Sequence, residues 1–256
     1  MTRLMEEYEF GEAGRILHDF AWSEFADWYI EIAKIRLYGA ADQRARYTAQ
    51  HVLYRTMDTL LRLLHPFMPF VTEEIWQHLP HEGESLMIAA WPTPGPTDEA
   101  AERDMERLME VVRAIRSVRS EFRVEPTRRV EVIAVSDAPD LLRREAPIVQ
   151  HLAGVEPWRV ETALPTRPTQ AVHVVAAGVE LYLPLAGMVD IAAERQRLKK
   201  EAAATWEHIV RLQGRLGDPE FLTKAPAVVV ERERARLAEL EDKLAKIREQ
   251  LAVLGE

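Results

Sequence analysis

DIAAERQRLKKEAAATWEHIVRLQGRLGDPEFLTKAPAVVVERERARLAELEDKLAKIREQLAVL, residues 190 to 254, is the stretch whose reading decides the fold. In its first half Ile191, Arg195, Leu198, Ala202, Thr205, Ile209, Leu212 and Leu216 alternate by four and three. In its second half Val230, Glu233, Leu237, Leu240, Leu244, Ile247, Leu251 and Leu254 do the same. An apolar repeat of about 3.5 residues sustained this long is a coiled-coil seam. Gly217-Asp218-Pro219 ends the first helix, and Pro226 sits where a first helical residue is tolerated. The link is short, so the helices pair back on each other as a long antiparallel coiled-coil hairpin, from about Val189 to Leu254. Each helix, of about 27 residues, spans roughly 40 Å, more than a core in a chain this size needs.

Working backward, the preceding segment changes period. RVEVIAV (Arg129 to Val135) alternates like a half-buried strand, Pro139 to Leu152 reads as a helix, and Val155 to Val160 as a strand. Ala171 to Ala176 and Val179 to Leu183 are apolar, β-branched runs joined at Ala177-Gly178, which predicts a hairpin. A helix begins after Thr97 or Asp98 and runs to about Phe122, with Leu108, Val111, Ile115, Val118 and Phe122 facing inward. WPTPGPTDEA (Trp91 to Ala100), with three prolines and a glycine, reads as a linker.

The first hundred residues read as helices. Phe10, Ala13, Leu17, Phe20, Phe25, Trp28 and Ile32 recur at near helical spacing until Tyr38-Gly39. A second helix covers Ala45 to His65, with Leu53, Met57, Leu60 and Leu64 on one face. Pro66 and Pro69 interrupt the chain, and Thr72 is placed to cap a third helix ahead of Glu73-Glu74. Trp22, Trp28 and Trp76 are expected to pack in the core. The expected fold is mainly α: a helical bundle over 1–95, a linker helix with a small α/β subdomain over 96–187, and the coiled-coil arm over 188–256.

Composition is that of a globular protein, 47% hydrophobic and 29% charged. Cysteine is absent, which removes disulfides, thiolate metal sites and cysteine nucleophiles and points to the cytoplasm. No run is long and apolar enough for a membrane span, and no secretory leader is legible. The net charge of −9 is uneven: residues 1–100 hold 8 basic against 16 acidic side chains, and residues from 190 onward hold 13 of each. Local patches decide phosphate binding, so this sum does not exclude RNA.

No phosphate loop, nucleophile elbow or other catalytic motif is present. His78 and His81 with Glu82 and Glu84 read as a polar loop rather than a metal site. Glu73-Glu74 read as first-turn acids facing the helix dipole. Two basic groupings remain. Arg113, Arg116, Arg119 or Ser120, and Arg123 follow one face of the linker helix, either solvated or facing RNA. On the arm, Arg195, Arg197, Lys199 and Lys200 cluster near the base, and Arg211 and Arg215 lie near the tip.

WSEFADWYIEIAK (Trp22 to Lys34) and LLRLLHPFMPFVTEEIWQHLP (Leu60 to Pro80) resemble the anticodon-binding helical domain of class I aminoacyl-tRNA synthetases, in the branch that charges valine, isoleucine and leucine. IRSVRSEFRVEP (Ile115 to Pro126) is similar to the segment that follows there. LPLAGMVDIAAERQRLKKE (Leu183 to Glu201) and FLTKAPAVVVERERARLAELEDKLAKI (Phe221 to Ile247) resemble the C-terminal coiled coil of the valyl members. Isoleucyl relatives usually carry a cysteine-built zinc module, which this chain cannot form. The HIGH and KMSKS signatures are absent.

The resemblance implies a tRNA-binding C-terminal portion of such an enzyme, gripping the anticodon stem-loop with the bundle and the elbow with the arm. It implies no cofactor, metal or catalytic residue in this chain; ATP and Mg belong to a catalytic portion it lacks, so it is not expected to be active alone. The implied partners are valine-specific tRNA and that catalytic portion, with no membrane, in a cytoplasmic monomer. Lys34, Arg36, Arg44 and Arg46, the densest basic set in an acidic domain, are expected near the anticodon. Arg195, Lys199, Arg211 and Arg215 are expected at the elbow. The alternatives are a freestanding tRNA-binding accessory factor and a protein–protein coiled-coil adaptor; a generic adaptor has no reason to contain HPFMPFVTEEIW.

Overall fold

The computed structural model describes residues 1–39, 42–188 and 190–254. The expected start of the arm at Val189, and its last two residues, lie outside them. The chain is mostly helical with one small mixed sheet, and it divides into two compact units, Met1–Met105 and Glu106–Glu256.

The first unit is a helical bundle of α1 (Thr2–Glu6), α2 (Phe10–Asp19), a π-helical run (Phe20–Ile30), α3 (Glu31–Tyr38), α4 (Gln43–Leu64) and α5 (Pro69–Gln77). Its buried stripe, Ala13, Leu17, Ala21, Phe25, Trp28 and Ile32, advances mostly in steps of four. Steps of four overshoot a 3.6-residue turn, and the stripe would drift around an α-helix. The wider i→i+5 turns of the π-helical run keep it on one face. Leu17, Ala21 and Phe25 therefore meet Leu60 in one cluster, flanked by Leu53, Met57 and Leu64 of α4. Phe10 and Phe20, expected on this face, are instead 47% and 39% exposed; Phe10 packs edge-on to Tyr8.

Thr72 does not cap α5. The helix starts at Pro69, whose missing amide hydrogen costs nothing in a first turn. Thr72 lies one turn inside, buried, its hydroxyl donating to the Met68 carbonyl at 2.8 Å and standing 2.8 Å from His65 Nδ1. Glu73 is likewise no dipole partner. Its carboxylate accepts from Gln77 Nε2, Ser85 Oγ and the Leu86 amide, and so fastens the loop that follows.

Helix α6 (Glu99–Glu121) carries the boundary between the units, and Asp98 caps it by accepting from the Ala100 and Ala101 amides. All five residues expected to face inward on it are buried. In the second unit follow β1 (Val130–Val135), α7 (Asp140–Arg144), α8 (Ala146–Ala153), β2 (Val155–Glu161), β3 (Ala171–Ala176) and β4 (Val179–Pro184). The sheet order is β2-β1-β4-β3, with β1 and β2 parallel across the helical crossover and the other pairs antiparallel. Ala177 and Gly178 both take positive φ, 49° and 70°, the geometry of a type I′ hairpin turn. The helix expected over Pro139–Leu152 is two, because the chain breaks at Glu145 and restarts with Pro147 in the first turn. Pro157 is accommodated because β2 is an edge strand, with a register irregularity alongside.

The chain ends with α9 (Ile191–Leu216), α10 (Pro219–Lys224) and α11 (Ala227–Val253). Asp190 caps α9, accepting from the Ala192 and Ala193 amides at 3.0 Å. Contacts join the start of α9 to the end of α11 and the reverse: Arg195 Nη2 to the Leu254 carbonyl at 2.5 Å, Glu201 to Lys243 at 2.9 Å, Gln213 to Glu241 at 3.1 Å, and Arg215 to Glu233 at 3.2 Å. Leu198, Thr205, Ile209, Val230, Leu244, Ile247, Leu251 and Leu254, all on the four-three repeat, are buried.

Candidate nucleic-acid interface

The basic set of the first unit lies at the end of α3 and the start of α4. Lys34 is half-buried and held by Glu31 one turn earlier at 2.5 Å. Arg36, Arg44 and Arg46 are exposed, and among the described residues no carboxylate pairs with them. Asp42 caps α4 through the Arg44 amide at 3.1 Å, which orients the helix start that carries Arg44 and Arg46. Arg36 also acts on Tyr29, whose hydroxyl pKa is raised first by burial and then pulled back by the Arg36 charge.

The same two helices carry exposed aromatic rings to which the sequence reading gave no binding role. Tyr38 is 82% exposed and Tyr47 69%, the latter stacked on His51. Trp22, expected in the core, is 59% exposed and stacks on His18 at 5.1 Å between ring centroids. Trp91 and Trp206 are exposed as well, so half of the six tryptophans lie on the surface. The missed signal was phase: Trp22 is one residue past the buried Ala21, on the far side of the stripe. Open π faces beside cations form the composition that stacks unpaired bases and tracks phosphates.

A buried polar group holds this frame. The Trp76 indole, fully buried, donates to Asp58 Oδ1 at 2.8 Å. Arg62 grips the same carboxylate through Nε at 2.9 Å, donates to the Ala90 carbonyl, and lies 5.9 Å from the Trp76 ring. His81 stacks on the Trp76 ring at 3.9 Å, which gives it a packing role. Among the described residues no three histidine or acidic side chains group as metal ligands, and no helix is long and apolar enough to cross a membrane.

The stripe of arginines on α6 separates in the structure. Arg113 and Arg123 are exposed, but Arg119 is buried and spent on the backbone. It donates to the carbonyls of Arg128 (2.8 Å), Gly154 (3.0 Å), Glu125 (3.1 Å) and Pro126 (3.4 Å). It therefore does not belong to a solvated or RNA-facing face. Its phase on the helix, four residues after Ile115 and seven after Val112, both fully buried, carried the clue.

On the arm, Arg195 is half-buried and tied to Leu254, while Lys199 is exposed. Arg211 is exposed, its Nε donating to the Glu207 carbonyl one turn back at 3.3 Å. Arg215 pairs with Glu233 and lies 4.5 Å over the Phe221 ring. Twenty residues separate Arg195 from Arg215 on one helix, about 30 Å. The four expected elbow residues thus form two groups, one at each end of α9.

With this geometry in place, the comparisons with known proteins become specific. Residues 1–134 match the family model described as the anticodon-binding domain of tRNA ligase. The chain belongs to this family. Residues 190–255 match a second model, the valyl tRNA synthetase tRNA binding arm. Among curated relatives, the valine--tRNA ligase of Carboxydothermus hydrogenoformans is 47% identical over 242 residues, 93% of this chain and 27% of the relative. Those of Bacillus cereus and Geobacillus kaustophilus are each 41% identical over 259 residues, 99% of this chain and 29% of the relative. The chain therefore spans less than a third of the length of these relatives. Both family matches and the relatives agree with the resemblance to the C-terminal region of the valyl synthetases.

Proposed function

We propose that the chain is the tRNA-gripping C-terminal portion of a valine--tRNA ligase. One observation carries the reading: a match to an anticodon-binding domain over residues 1–134 and a match to a tRNA binding arm over residues 190–255 occur in one chain, in that order. In this reading the bundle meets the anticodon stem-loop through Lys34, Arg36, Arg44 and Arg46, with Tyr38 and Tyr47 offering stacking faces. Helices α9 and α11 form an antiparallel coiled-coil arm that reaches the elbow with Arg195, Lys199, Arg211 and Arg215. The crossed ion pairs and the buried four-three repeat support the supercoil. Valine activation with ATP and Mg then belongs to a catalytic portion outside this chain, and the complete enzyme works as a cytoplasmic monomer.

The test compares two RNAs, full-length valine tRNA and its isolated anticodon stem-loop, by fluorescence anisotropy at moderate salt. Arg36→Ala with Arg46→Ala should weaken both. Lys199→Glu with Arg211→Glu should weaken the full-length tRNA alone. Equal losses on both RNAs from the second pair would reject the division of labour, and no binding of either RNA by the parent chain would reject the reading.

A further inference from the structure

Helix α8 ends at Ala153, and Gly154 turns the chain out of it in the left-handed conformation, φ 64°. Three guanidinium groups converge on the carbonyls of this turn. Arg129 Nη1 donates to Gln150 at 2.7 Å, Arg116 Nε to Leu152 at 2.8 Å, and Arg119 Nη1 to Gly154 at 3.0 Å. Carbonyls at a helix C-terminus amount to about half a negative charge. Among the described residues, Arg119 and Arg129 meet carbonyl oxygens and no carboxylate. The cation excess is felt inside the cluster, since burial first and the Arg129 charge second lower the Arg119 pKa.

These groups line a cavity of about 330 Å³ that opens to solvent, with Thr127 and His151 completing its polar wall; among the described residues no acidic side chain lines it. Gly154 lets this turn pack directly on Arg119, because a Cβ there would stand 3.2 Å from the guanidinium carbon. Arg119 is spent on carbonyls and adds only its charge, while the Arg116 and Arg129 guanidiniums, beside a hydroxyl and an imidazole, make a site for a tetrahedral anion, which guanidinium binds in fork geometry.

We propose that this cavity binds a phosphoryl group, drawn either from an RNA backbone or from a free phosphomonoester. The RNA source rests on the tRNA reading above; the phosphate chemistry does not. An occupant would neutralise the cluster and fix the junction between α6, α8 and β2.

Titrating the full chain with sodium phosphate against sodium chloride at matched ionic strength, while following arginine Nε–H and His151 resonances by NMR, tests the site. Phosphate should shift them in the millimolar range and chloride should not. Arg129→Gln, an exposed change that can still bond the Gln150 carbonyl, should weaken phosphate binding about tenfold. Thr127→Glu, which places a carboxylate among the arginines, should abolish phosphate binding and raise the Tm. Valine tRNA displacing the phosphate response assigns the occupant to RNA. Persistence of that response beside bound tRNA, with competition by AMP, assigns it to a free phosphomonoester. Resonances that move equally in phosphate and chloride overturn the site. Should the chain bind no tRNA at all, the tRNA reading falls while the phosphate titration still judges the cavity.

Discussion

Asp58 is the residue on which the bundle's polar interior turns, because one carboxylate serves both the buried Trp76 indole and Arg62. Asp58→Ala would leave a buried N–H without an acceptor and should cost about 2–3 kcal/mol in urea unfolding, with Asp58→Asn costing less. Glu73 gives a pH signature. Its carboxyl is held below the ordinary value by the Gln77 amide first, then by Ser85 and the Leu86 amide. Its stabilisation is therefore full above the unfolded glutamate pKa, near about 4.3, and is lost as pH falls through the lower folded value. Acid titration by NMR should move the Leu86 amide in that window, and Glu73→Gln should remove the transition. Neither role was legible in the sequence: Glu73 reads as a helix-start acid because Thr72 reads as a cap. The start at Pro69 depends on Met68 and the preceding turn, not on the residue types at 72–74. Arg119 was misread for a related reason, since a charge on a helix counts as surface until the carbonyls that receive it are placed around it.

At the scale of elements, period was the reliable guide and phase the weak one. Helix α6 was legible through its inward residues, and α9 and α11 through a repeat that each sustains for seven turns or so. The π-helical run was not, because a drift from steps of three to steps of four is slight in any short window. It displaced the predicted face by enough to leave Phe20 outside. The break between α7 and α8 was hidden by apolar residues on both sides. For the arm, Leu244→Ala, which truncates a side chain only 5% exposed, should cost about 2–4 kcal/mol of the second unit's stability. Glu239→Ala, on the exposed side, should change it by less than about 0.5 kcal/mol. Comparable effects from the two would place the seam elsewhere.

At the scale of the whole molecule, the two compact units predict that unfolding is not two-state. Trp22, Trp28, Trp76 and Trp91 report the first unit, and Trp158 and Trp206 the second. Urea transitions followed by fluorescence of chains retaining only one set should have different midpoints; coincident midpoints would show a single cooperative unit. The charge of −9 adds a salt signature, since tRNA binding carried by a few local cations should fall with salt less steeply than binding by a broadly basic surface. Both expectations were open to the sequence in outline, because the acid excess and the Trp91–Ala100 linker are visible there. The unit boundary was not, because it falls inside the uninterrupted apolar phase of α6.

The paired helices also make a ruler with a fixed zero. Arg195 bonds the end of α11, and Arg215 bonds Glu233 near its start, so charged groups sit at both ends of a repeat that is mostly apolar between them. A slip by one heptad would set a guanidinium among leucines, which locks the graduation. Length can then change without the scale slipping. One heptad inserted into both helices at matching points should extend the projection by about 10 Å and leave every crossed pair in place. The same insertion in a single helix should throw the pairs out of step, and the difference between the two designs would be read as a lost or retained Tm.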